Sequence, residues 1–97
     1  MVLNKDAIIL FLRKNKEFLE KEFGVTKVAL FGSYARAQER QDSDIDLLIE
    51  VKVKDFRNRF YLKEFFEKEF GKKVDIGYFD SLKKIVQREI EEELVYA

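Results

Sequence analysis

The sequence predicts an α+β domain: a small mixed β-sheet flanked by helices. Segments with helical apolar spacing alternate with short apolar runs, glycines stand at Gly24 and Gly71 where two helical segments end, and no proline or repeat interrupts the order. At 97 residues the chain is expected to form one domain, residues 1–97, with a single core and little room to enclose an active site unaided. A site completed by a partner or a substrate suits that size.

Taken in order, Asn4 is placed to cap a first helix whose Ile8, Phe11, Leu12, Phe18, Leu19 and Phe23 follow the i, i+3, i+4 pattern, and Gly24 stops it. Lys27 to Phe31 reads as a short strand buried on both faces, ended by Gly32. Ser33 to Ala37 reads as one or two helical turns, Gln38 to Ser43 as a polar loop and Asp44 to Val51 as a second strand. Asp55 is placed to cap a long helix to Phe70, with Gly71 after it. Val74 to Phe79 reads as a third strand. Asp80 then caps a last helix with Leu82, Ile85, Val86, Ile90 and Leu94 on one face.

Composition narrows the chemistry. Nineteen basic and nineteen acidic side chains cancel, so no global basic field exists for generic nucleic-acid or membrane binding, and phosphate recognition has to be local. The absence of cysteine and histidine removes disulfides, thiolate metal sites, thiol catalysis and imidazole chemistry. Acid–base and metal chemistry fall mainly to carboxylates. The N-terminus lacks a signal-peptide pattern and no apolar run approaches a membrane span, so a cytoplasmic location is expected.

Among those carboxylates, Asp44 and Asp46 stand two apart at the entrance to Leu47-Leu48-Ile49. In a strand both project to one face while Ile45, Leu47 and Ile49 go to the other. At roughly 5 Å and an effective dielectric of about 20, such charges repel by about 3 kcal/mol. Solvation, a shared proton or a cation resolves the repulsion, and paired oxygen ligands suit magnesium, which binds through one or two carboxylates plus substrate phosphates.

Gly32-Ser33 supplies a phosphate-cradle candidate: a glycine allowing close approach, a hydroxyl, and the first amides of a helical turn. The same dipeptide also makes an ordinary strand-to-helix turn. Arg36, one turn further on, is within reach of a phosphate or of Glu39 or Asp42. Asp75 shares a strand face with Gly77 and Phe79, opposite Val74, Ile76 and Tyr78. An acid there needs a salt bridge with Lys27, Lys72 or Lys73, or a metal.

Together, "LFGSYARAQERQDSDIDLLIE" and "KKVDIGYF" resemble the minimal nucleotidyltransferase family of the DNA polymerase beta superfamily, through Gly-Ser, Asp-x-Asp and a distal Asp. The resemblance implies a polymerase-beta-palm-like nucleotidyltransferase fold in which Gly32 and Ser33 bind the outer phosphates of ATP. It makes Asp44 and Asp46 ligands of two Mg2+ ions, for which Mn2+ substitutes. It makes Asp75 the third carboxylate, on the catalytic metal and beside the attacking hydroxyl. Where the family commonly reads Ala-Arg-Gly, this chain has Ala35-Arg36-Ala37, so the loop is expected to take a slightly different path.

The resemblance further implies the antitoxin half of a two-gene module whose partner is an all-helical HEPN-type RNase toxin, with AMP passing from ATP to a toxin tyrosine. The alternative is neutralisation by occlusion, the acids serving nucleotide sensing or structure. A sugar-nucleotide reading of Asp-x-Asp would need a longer core. The helix from Asp55 to Phe70 carries more aromatics than one stripe facing a sheet requires. Phe56, Phe60, Phe66 and Phe70 suit a small core, while Tyr61, Leu62 and Phe65 are the candidates for an exposed interface. The run Glu91-Glu92-Glu93 reads as a solvated face, or one that meets a basic toxin surface.

Overall fold

The computed structural model describes residues 3–82 and 84–97. The expected first helix is broken at Asn15 into α1 (Lys5–Lys14) and α2 (Lys16–Phe23). The Asn4 side chain accepts a hydrogen bond from the Ala7 amide as the expected cap, and Gly24 ends α2 in the left-handed region. Asn15 leaves helical geometry at φ −107°, and its side-chain amide donates to the Phe11 carbonyl at 2.8 Å. That local bond is the competition with the helix ladder that makes asparagine a poor interior residue.

Strand β1 (Val25–Phe31) leads into the short helix α3 (Gly32–Ala35); β2 (Ile45–Val51) and α4 (Phe56–Phe70) follow. Asp55 caps α4, accepting from the Arg57 amide, and Gly71 terminates it at φ 68°. Strand β3 (Val74–Tyr78) passes into a 3-10 turn at Phe79–Ser81, then α5 (Lys84–Glu91) and a two-residue strand, β4 (Val95–Tyr96). Asp80 therefore does not cap the last helix. It sits in the 3-10 turn and its carboxylate pairs with Lys54 at 2.7 Å, a partner on the loop after β2. Ile85 and Val86, expected on the apolar face of that helix, lie outside the described side chains; Leu82 and Ile90 are half-buried.

The sheet order is β3-β2-β1-β4, with β2 parallel to β3 and the other pairs antiparallel. This is the mixed sheet expected. One face carries Val28, Leu30, Ile45, Leu47, Ile49, Val74 and Ile76 into a core shared with Ile8, Ile9, Leu12, Leu19, Leu62 and Phe66 of α1, α2 and α4. Tyr34 of α3 is buried there as well, a core position that its place in a polar-looking turn did not announce. On the other face, Ala29, Leu48 and Phe79 form a smaller cluster beneath Phe31, Leu82, Ile90 and Leu94.

The aromatic helix divides differently from expectation. Leu62 is 0% exposed and Phe65 is half-buried against Phe11, Phe18 and Phe23, whereas Phe56 and Tyr61 are 82% and 58% exposed and Phe60 is also exposed. Of the three interface candidates only Tyr61 faces solvent. Leu62 and Phe66, four apart, share the inward stripe, and Phe65 closes the groove between α4 and the N-terminal helices. Phe56 follows the Asp55 cap directly, at the exposed first position of α4.

Candidate active site

Because side chains alternate along a strand, the second sheet face has rows. Phe31, Asp46 and Asp75 are register partners and form one end row; Ala29, Leu48 and Gly77 form the next; Lys27 and Glu50 follow. Asp46 and Asp75 thus lie side by side on neighbouring parallel strands, at the strand spacing of about 4.8 Å. Asp44 precedes β2 and is exposed. The three carboxylates share one end of one face, yet among the described residues no three metal-binding side chains close into a ready-made cage.

Burial raises the Asp46 carboxyl above its ordinary value of 3.8, the Asp75 and Asp44 charges raise it further, and the Arg36 guanidinium offsets part of the rise. Among the described residues no lysine forms an ion pair with Asp75, so the salt bridges to Lys27, Lys72 or Lys73 do not form. Lys72 donates instead to the Gln41 carbonyl at 2.5 Å, and Lys27 lies over the Phe79 and Tyr96 rings. A hard cation fits this donor set: several anionic oxygens, one of them destabilised by its neighbours.

Helix α4 fixes the strand that carries Asp75. The Glu67 carboxylate accepts from the Val74 amide at 3.0 Å, and the Arg59 guanidinium donates to the Ile76 carbonyl. These groups flank Asp75 and would otherwise be the unpaired edge of the sheet. Neither Arg59 nor Glu67 was singled out in the sequence. Their eight-residue spacing puts them on one helix face, but a charged pair at that spacing is common on any solvated helix.

Gly32 stands against Asp46. Its φ is 77°, and a side-chain carbon added to it would overlap the Asp46 carboxylate, 3.1 Å from Cγ. Ser33, half-buried, is the second residue of α3, whose opening amides have no intrahelical acceptor. Ala37 has φ 56°, so the loop keeps a left-handed turn at the position where glycine is usual. The Arg36 side chain pairs with neither Glu39 nor Asp42 but with Glu93, at 3.1 Å. Glu93 thereby leaves the solvated face assigned to its acidic run.

A cleft of about 780 Å³ opens at the opposite end of this face, lined by Lys27, Lys54, Tyr78, Phe79, Arg88 and Tyr96. Asp44, Asp46 and Asp75 do not line it; Asp44 and Asp75 are exposed and Asp46 is half-buried.

With the Gly-Ser turn, the spaced aspartates and the third acid gathered at one sheet end, the chain matches the nucleotidyltransferase domain family over residues 12–97. The chain belongs to the nucleotidyltransferase family. Among relatives of this nucleotidyltransferase, a Methanocaldococcus jannaschii protein named for protein adenylyltransferase activity is 37% identical over 88% of this chain and 89% of its own. The protein adenylyltransferase MntA of Thermococcus cleftensis is 31% identical over 98% and 97%. A solved structure named for a minimal nucleotidyltransferase superposes with a TM-score of 0.79 at 24% identity, covering 96% of this chain and 95% of that one. A chain of a solved complex between a tri-AMPylated Shewanella oneidensis HEPN toxin and an MNT antitoxin gives a TM-score of 0.59 at 21% identity, over 96% of this chain and 67% of that one. The last two likenesses bear on the fold, which is the nucleotidyltransferase fold expected from the motifs.

Proposed function

We propose that the protein is an antitoxin that transfers AMP from ATP to a hydroxyl, a tyrosine of a HEPN-type RNase toxin, in the cytoplasm. The observation that carries this reading is the register pairing of Asp46 with Asp75 beside a glycine that has no room for a side chain. The adenylyltransferase names of the relatives and the toxin complexes among the structural neighbours support the choice of nucleotide and acceptor.

In this reading Gly32, Ser33 and Arg36 receive the outer phosphates of ATP: the glycine by admitting them close to the backbone, the serine by its hydroxyl, the arginine by charge. Asp44, Asp46 and Asp75 would hold two magnesium ions, which when bound supply charge neutralisation of the leaving pyrophosphate and acidify the attacking hydroxyl. The acceptor oxygen bonds to the α-phosphorus as the bond to pyrophosphate breaks. Asp75 accepts the hydroxyl proton, and a phosphodiester to AMP remains on the acceptor. The exposure of Asp44 and Asp75 suits an acceptor that is itself a protein and supplies a further wall.

Labelled ATP and a co-expressed HEPN toxin provide the test. The proposal expects covalent label on the toxin with the wild-type protein. Asp75→Asn is expected to bind ATP with magnesium and yet transfer nothing, whereas Asp44→Asn and Asp46→Asn lose both to a large degree. Occlusion without chemistry leaves the toxin unlabelled throughout, and a folded Asp75→Asn protein that transfers at the wild-type rate removes Asp75 from the site.

A further inference from the structure

We propose that Glu93, at the entry to the C-terminal strand, is a positioning residue that holds the Arg36 guanidinium ready for the outer phosphates of ATP. The inference rests on the nucleotidyl-transfer reading and deepens it. Arg36 follows α3 directly, and its backbone amide donates to the Gly32 carbonyl at 3.2 Å, so it is tied to the turn that touches Asp46. Its Nη1 donates to Glu93 Oε2 at 3.1 Å and its Nε to Gln38 Oε1 at 3.4 Å. A guanidinium has five N–H donors in one plane. Two contacts fix that plane and leave the remaining Nη donors for an anion.

Glu93 is itself well anchored. Its amide donates to the Ile90 carbonyl at 2.9 Å, Leu94 packs on Ala29, Leu48 and Phe79, and Val95 and Tyr96 pair with Leu30 and Ala29. The C-terminal segment therefore ties its carboxylate to the same β1 strand that ends at Gly32. An arginine already held in one plane loses less side-chain freedom on meeting a phosphate than a free one.

The sign of the effect separates positioning from simple electrostatics. A carboxylate beside a triphosphate repels it, so if charge alone mattered, removing Glu93 would tighten ATP binding. Positioning requires the opposite. Calorimetric titration of the full chain with ATP and magnesium should show Glu93→Ala binding roughly fivefold more weakly, the scale of one exposed ion pair. Glu93→Gln keeps an acceptor oxygen without the charge and should stay within about twofold of wild type. Arg36→Ala should weaken binding at least as much as Glu93→Ala, with no further loss when the two are combined.

The two side chains are 43% and 39% exposed, so the melting temperature should hold. Glu93 stands in the turn before β4, so should the alanine variant melt early, Glu93→Ser repeats the comparison with turn propensity retained. Equal or tighter ATP binding by Glu93→Ala, with Arg36→Ala weakened, overturns the positioning role alone. Unchanged binding by Arg36→Ala overturns it together with the assignment of Arg36 to phosphate. A wild-type protein that binds no ATP overturns the nucleotidyl-transfer reading beneath both.

Discussion

Placing a methyl group on Gly32 sets two demands against each other, because alanine there would have to adopt φ 77° while its side chain displaces the Asp46 carboxylate. Gly71 is the matched control: its φ is 68°, and a side chain there meets nothing within 4 Å. Gly71→Ala should cost only the left-handed strain of about 1 kcal/mol, or roughly 4–8 °C in melting temperature for a domain this small, and leave ATP binding alone. Gly32→Ala should lower the melting temperature further and abolish ATP binding; equal effects of the two would separate Gly32 from the site. Asp46 makes a prediction of opposite sign. Its carboxyl is raised in the folded protein by burial first and then by Asp75 and Asp44. The unfolded chain therefore ionises first as pH rises from the ordinary value of 3.8, and the native state loses stability up to and through the raised folded value. Asparagine does not titrate. Asp46→Asn should melt higher than wild type at neutral pH in the metal-free protein, the advantage should shrink towards pH 3.8, and transfer should be lost. Thermal melts of the two proteins across that range check the sign.

Within α4, neighbouring residues separate stability from recognition. Leu62→Ala opens the core and should cost about 2–5 kcal/mol, while Tyr61→Ala should leave the melting temperature within a few degrees and weaken toxin capture in a pull-down if this exposed face meets the partner. Equal capture by Tyr61→Ala places the partner elsewhere. The helix as an element was plain in the sequence, because Asp55 and Gly71 are strong local signals; which of its aromatics faced outward was not, because the apolar set spans more of the helix than one stripe and only the sheet beneath selects among them. The same distinction holds along the chain. Asn4, Gly24, the three main strands and the acid positions follow from local pattern. The break at Asn15 rests on one side-chain bond to Phe11, the departure of Asp80 from its expected capping role rests on Lys54 from another loop, and β4 is two residues long and exists through pairing with β1. Glu93 looked like part of a solvated run because its partner is 57 residues away. For the candidate site, the acids and the Gly-Ser turn stand out in the sequence by type and spacing, but the clamp of Arg59 and Glu67 around Asp75 depends on how α4 lies over the sheet edge.

For the whole molecule, ligand and fold should be linked through the acids at one end of the sheet. ATP with magnesium at a hundredfold excess over its dissociation constant should add about 2.7 kcal/mol to the native state, or roughly 10–20 °C in melting temperature. ATP with EDTA should give little shift, because the triphosphate and the carboxylates then repel; an equal shift without divalent metal would count against magnesium at these residues. The pairing of Asp46 with Asp75 reaches beyond catalysis. A strand's side chains alternate, so sliding β3 by one residue against β2 would turn Asp75 into the core with Leu47 and Ile49 and bring Val74 and Ile76 out to the open face. That misfolded arrangement buries an unpaired carboxylate and exposes two apolar side chains, each unfavourable by itself. The residue that makes the site acidic also penalises the wrong register, so the folding reaction is error-checked by the same side chain that the finished protein is proposed to use for chemistry.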